Sequence, residues 1–97
     1  VKLLRGCKAA GLALDGKNLN QEGFVEEAYC LGLIRGVYNS ISIFGQEQLK
    51  VCLPEQGIGI NQQVKIVVKF LEDNPKELHE TDWLLVMLSF QGAYKCQ

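Results

Sequence analysis

Four isolated cysteines constrain this 97-residue chain more than any other feature. Cys7, Cys30, Cys52 and Cys96 stand singly, with no C-x-x-C pair among them. An even number of scattered cysteines in so short a chain is the pattern of two disulfides made in an oxidising compartment. A structural zinc site draws its thiols from close pairs, so the spacing speaks against metal. The expectation is an exported domain stapled twice, with no metal and no cofactor.

The hydrophobic fraction of 47% and charged fraction of 22% are those of a globular chain, and 97 residues make one domain, 1–97, around one core. Ten basic and eleven acidic residues give a formal charge of −1 without a basic stripe, which removes the basis for binding nucleic acid or an anionic membrane. No apolar run approaches the ~18 residues of a membrane span. The opening VKLLRGCK lacks the apolar centre of a signal peptide. An exported chain would therefore be met here in mature or trimmed form.

Helical periodicity recurs in four segments. Leu3, Leu4 and Cys7 predict a short helix over about residues 1–10, followed by a loop at Gly11, Asp15, Gly16 and Asn18. Asn20 is placed to cap a second helix and Glu22 to complement its dipole. Phe24, Ala28, Leu31, Ile34, Tyr38 and Ile41 form one apolar stripe, with Val25, Tyr29, Leu33 and Val37 beside it. A helix apolar over that much of its circumference belongs at the centre of a bundle. Gly32 and Gly36 predict a close approach by a neighbouring helix. Residues 45–59 show no period and hold Cys52 in their middle, a long loop of the kind that is functional or covalently pinned.

A third helix is expected over 61–73 from Val64, Val67, Val68 and Leu71; Ile66 and Phe70 lie beside that stripe, as wider core or as a partner surface. Asn74-Pro75-Lys76-Glu77 starts a last helix reaching about residue 94, with Thr81-Asp82 as an interruption and second cap. Leu78, Leu85 and Leu88 face one way in it, widened by Trp83, Met87 and Phe90. The expected fold is all-α, a small bundle of four to five helices.

Four cysteines allow three pairings. A two-residue link makes the third and last helices antiparallel neighbours, which brings the chain end near the Cys52 loop and favours Cys52–Cys96. Cys7–Cys30 then joins the first two helices. The only histidine, His79, sits near a helix start, and all four thiols are committed to bridges, so a nucleophile–base pair is not expected. The residues describe a helical binding module without catalytic chemistry.

Particular motifs sharpen that reading. YCLGLIRGV at residues 29–37 resembles a C-x-G-[YF]-[IV]-x-G-V helix, and Cys52-Leu53-Pro54 a following C-x-P. QQVKIVVKFL at residues 62–71 resembles Q-x-V-x-x-V-V-x-[YF]-L, NPKELH at residues 74–79 resembles H-P-E-x-L-H, and Cys96 matches a terminal cysteine. In this order and spacing, across about residues 22–96, they resemble the type VI secretion amidase-immunity proteins, which include the resistance-associated proteins of self-protection. Leu33, Asn39, Asn74 and Lys95 depart from the pattern.

The resemblance implies a periplasmic, all-helical homodimer that blocks the substrate cleft of a secreted peptidoglycan amidase, a papain-like cysteine peptidase. For such an inhibitor, the effector-binding residues expected from the chain's own surface are Gln62, Gln63, Lys65, Lys69 and Glu72 on the outward face of the third helix and Asp73, Asn74, Lys76 and Glu77 in the short polar turn after it, which Pro75 anchors. The loop at Glu55, Gln56, Gly57 and Ile58 is the second choice. Self-association is expected through Ile66 and Phe70. The competing reading is an exported carrier, in which the wide apolar faces enclose a small apolar ligand.

Overall fold

A computed structural model describes residues 2–16 and 21–96. These described residues form five helices, α1 (Lys2–Leu14), α2 (Gln21–Phe44), α3 (Gln46–Leu49), α4 (Ile60–Asp73) and α5 (Asp82–Ala93), with one 3-10 turn at Pro75–Glu77. No strand occurs among the described residues, and the all-α bundle is the one expected. Among the described residues no helix is long and apolar enough to cross a membrane. Both expected disulfides are present, Cys7–Cys30 with its Cα atoms 5.2 Å apart and Cys52–Cys96 with 5.0 Å.

The core is built where apolar stripes meet. Leu3, Cys7 and Ala10 of α1, Cys30, Ile34 and Ile41 of α2, Val67 and Leu71 of α4, and Leu85, Val86 and Phe90 of α5 are fully buried, joined by Val51 from the α3–α4 loop. The Cys7–Cys30 bridge lies inside this core rather than on its surface. Truncating a buried Leu or Ile to Ala in such a core costs about 2–5 kcal/mol.

Several expectations are corrected. Helix α1 continues four residues beyond Ala10, to Leu14, because Leu14 also packs against the core; the turn comes only at Gly16, where φ is 84°. Asn20 and the side chain of Glu22, expected to start α2, lie outside the described residues. Helix α2 spans 24 residues, about 36 Å, in a molecule 41 Å along its longest axis. Near its ends Phe24 and Val25, which belong to the apolar stripes, are exposed, and so is Phe44.

The close helix approach is also made by a different glycine. A Cβ on Gly6 of α1 would lie 2.4 Å from the backbone carbonyl oxygen of Glu26, so only glycine lets α1 and α2 meet there. Gly32 and Gly36 are exposed, and a Cβ on either meets nothing within 4 Å. Ile66 and Phe70 are half-buried and pack against the core, which makes them wider core rather than a free surface. The helix expected from Pro75 stops after one turn and restarts at Asp82, so the interruption at Thr81-Asp82 is real. Thr81 has the extended backbone of a cap, yet its side chain makes no capping hydrogen bond.

Candidate functional site

The segment between α3 and α4 is irregular in sequence and fixed in space. Lys50, in the left-handed region at φ 61°, ends α3. The side-chain oxygen of Gln46 accepts a hydrogen bond from Leu53 N–H at 2.6 Å, and Cys52 N–H donates to the Tyr94 carbonyl at 2.8 Å, beside the Cys52–Cys96 bridge. Gly57 N–H closes a turn on the Pro54 carbonyl at 2.9 Å and takes φ 74°, a conformation that favours glycine. The next residue is held from two sides: Ile58 N–H donates to the Tyr38 hydroxyl at 3.2 Å, and its carbonyl accepts from Gln63 Nε2 at 2.8 Å.

Between its exposed ends, Lys50 and Gly59, Glu55 and Gln56 are the exposed residues of this loop, while Gly57 and Ile58 are half-buried and Ile58 packs on the core. The result is a short polar tip on a clamped base. Such a tip loses little further freedom on entering a cleft.

The outward row of α4 is the other candidate. Gln62, Lys65, Lys69 and Glu72 are exposed as expected. Gln63 is not: it is 6% exposed and turned inward to hold Ile58, and its Oε1 is buried without a partner. Lys65, Lys69 and Glu72 line an open groove of about 580 Å³ between α1 and α4, together with the apolar side chains of Leu12, Val64 and Val68. Lys8 Nζ bridges that groove to Glu72 at 3.1 Å, and Lys69 Nζ pairs with Asp73 at 3.0 Å. These exposed pairs orient charge and add little stability.

Beyond the groove, Asn74 is half-buried and donates through Nδ2 to the Phe70 carbonyl at 2.8 Å, Glu77 is half-buried, and Lys76 and Asp73 are exposed. Helix α4 has 14 residues, so its two ends are about 20 Å apart. The two expected sites are separate elements, one at each end of α4.

His79 is exposed, with Nε2 3.1 Å from a Glu80 carboxylate oxygen, and every cysteine is in a disulfide. Tyr29 donates its hydroxyl to Asp82 at the start of α5, and the Lys2 ammonium lies 5.2 Å over its ring. The hydrogen bond to Asp82 raises the Tyr29 pKa above 10.0, with burial and the Asp82 charge acting in the same direction. The hollows between α1 and α4 and between α2 and α5 open on solvent, unlike the enclosed cavity expected of a carrier.

Two contributors escaped the sequence. Tyr38 reads as a core residue, and the only hint of its second role is that a buried phenol needs a partner. Nothing in the sequence separates Gln63 from its outward neighbour Gln62.

Compared with models of known families, the chain matches the Rap1a immunity proteins over residues 1–96. The chain belongs to that family. Neither the comparison with curated proteins nor that with solved structures finds a match. Membership of the Rap1a immunity proteins implies a chain that acts by binding a cognate effector, as an inhibitor rather than an enzyme.

Proposed function

We propose that this protein is a periplasmic immunity protein of type VI secretion, which protects its cell by occluding the substrate cleft of a secreted peptidoglycan amidase. The family match carries the immunity role. The amidase is proposed from the motifs at residues 29–37, 52–54, 62–71 and 74–79. The two disulfides support an oxidising compartment.

In this reading the tip Glu55–Gln56 enters the cleft, and Gly57 and Ile58 form its fixed base. It is favoured over the turn after α4 because covalent and hydrogen-bonded clamps hold it on both sides. The outward residues Gln62, Lys65, Lys69 and Glu72 lie on the rim, and Asp73, Asn74, Lys76 and Glu77 form a peripheral contact. Gln63 acts from beneath by holding Ile58. The inhibitor works as a homodimer that presents two such tips, and it contributes no chemistry of its own.

The test is protection. Cells producing a candidate amidase in the periplasm are expected to survive when this chain is exported with it, and to lyse when the chain is retained in the cytoplasm. Lysis despite export of folded, oxidised protein, across the candidate amidases, would remove the assignment.

A further inference from the structure

Helix α2 carries an exposed seam. Val25, Tyr29, Gly32, Gly36, Asn39 and Ile43 step by four, three, four, three and four residues, the spacing of helices that pair along their length. All six are exposed and none is charged. Val25 and Ile43 are 66% and 75% exposed, although the β-branched aliphatic side chains at the buried positions of α2 are at most 7% exposed. The two glycines at its middle make no contact within the chain that a Cβ would disturb. Glycine is the least favourable residue after proline inside a helix, so two of them here weaken α2 without any return in the monomer.

We infer that this seam is the surface on which a second copy of the chain docks, with the two α2 helices antiparallel and their backbones closest at Gly32 and Gly36. The inference deepens the dimer reading above and rests on it. The choice of occupant comes from symmetry. Val25 and Ile43 each lie nine residues from position 34, Tyr29 and Asn39 five, and Gly32 and Gly36 two. A two-fold axis at the height of residue 34 therefore sets Val25 against the partner's Ile43, Tyr29 against the partner's Asn39 and Gly32 against the partner's Gly36. One uncharged strip complements itself, as a two-fold interface requires.

The available area suits a dimer. Tyr29, Phe44 and Trp83, on or beside the seam, are 39%, 65% and 57% exposed. Aromatic side chains of 150–250 Å² then leave roughly 300 Å² there, and the two aliphatic ends add roughly 200 Å². That is roughly 500 Å² per partner, about 1,000 Å² in all, the lower bound of a specific interface. Tyr29 is already held by Asp82 and Lys2, so docking orders little that is free.

Sedimentation of the parent and of Gly36→Arg at roughly 10–100 µM tests the seam. The parent is expected to be dimeric. Gly36→Arg is expected to be monomeric, with dissociation at least 100-fold easier, an unchanged helical fold and, below the association range, a melting point no lower than the parent's, since arginine favours the helix over glycine. Mixing Val25→Cys with Ile43→Cys should give a covalent heterodimer in preference to either homodimer. A monomeric parent overturns both the dimer reading and the seam. A Gly36→Arg dimer as tight as the parent overturns the seam and leaves the dimer reading standing. If Gly36→Arg fails to fold, the cysteine pair decides, and preferential homodimer cross-linking overturns the antiparallel register.

Discussion

The hydroxyl of Tyr38 accepts a hydrogen bond from the backbone N–H of Ile58 at 3.2 Å, joining the central helix to the base of the clamped loop across twenty residues of sequence. The same ring packs edge-on against Phe90, with centroids 6.1 Å apart, so the loop is registered on the core itself. Tyr38→Phe keeps the ring contact and removes only the acceptor. It is expected to cost about 0.5–1.5 kcal/mol and to speed hydrogen exchange at Ile58 while exchange in α1 stays at the parent rate. Parent-like exchange at Ile58 would show that the loop is held without this bond.

The two disulfides should differ in what they protect. The bridges span 23 and 44 residues, worth about 3–4 kcal/mol each by chain entropy. Replacing Cys52 and Cys96 by Ser should lower stability by roughly that amount while α1, α2 and α4 stay packed, and the loss of inhibition should exceed the loss of folded protein. Replacing Cys7 and Cys30 by Ser puts polar groups in a fully buried site and should cost more. Denaturation curves order the two pairs. Thiol titration of the unfolded parent should find no free sulfhydryl.

Gly6→Ala is expected to destabilise by about 1–3 kcal/mol, because the added carbon meets a backbone carbonyl that has no room to yield. Gly11→Ala, five residues along the same helix, is the control: its Cβ would lie at an ordinary 4.0 Å from Val64, and helix propensity should stabilise it by up to about 1 kcal/mol. Equal melting points for the two variants would contradict the close α1–α2 crossing.

The helices and the disulfide pairing were legible because they follow from local period and from the order of hairpins. What escaped was the identity of the covered faces. Gly32 and Gly36 announce missing side chains, but only the path of α1 decides that Gly6 is the glycine under pressure. Phe24 and Val25 keep the period of buried residues and are exposed near the end of α2. Gln62 and Gln63 are identical in composition, and burial of the second depends on a carbonyl five residues upstream, at Ile58. Helix α3 has only four residues, too few to impose a period. At the candidate site, the loop and the α4 row were both visible as polar segments; the clamps that distinguish them involve residues distant in sequence.

Alkaline titration checks the contact between α2 and α5. Tyr29 is raised above 10.0, chiefly by its hydrogen bond to Asp82, so the phenol should ionise later in the folded chain than in the unfolded one. The associated stabilisation is complete below pH ~10 and is lost as pH rises through the folded pKa. The absorbance difference between the parent and Tyr29→Phe should have its midpoint above 10, and Asp82→Asn should lower that midpoint. A Tyr29 midpoint at or below 10 would show that the bond does not persist in solution.

The central claim is that a preformed tip, held by the core and by Cys52–Cys96, inhibits a cell-wall amidase. Its most direct measurement is a titration of peptidoglycan hydrolysis by a candidate amidase with the purified, oxidised protein. The parent should inhibit stoichiometrically. Glu55→Lys with Gln56→Lys, exposed positions whose exchange leaves the fold intact, should weaken inhibition at least 100-fold at an unchanged melting point. Lys69→Glu with Asp73→Lys and Lys76→Glu should weaken it by about tenfold or less, as expected of rim and peripheral charges. Full inhibition by the tip variant, or loss of inhibition only in the α4 variant, would contradict the account.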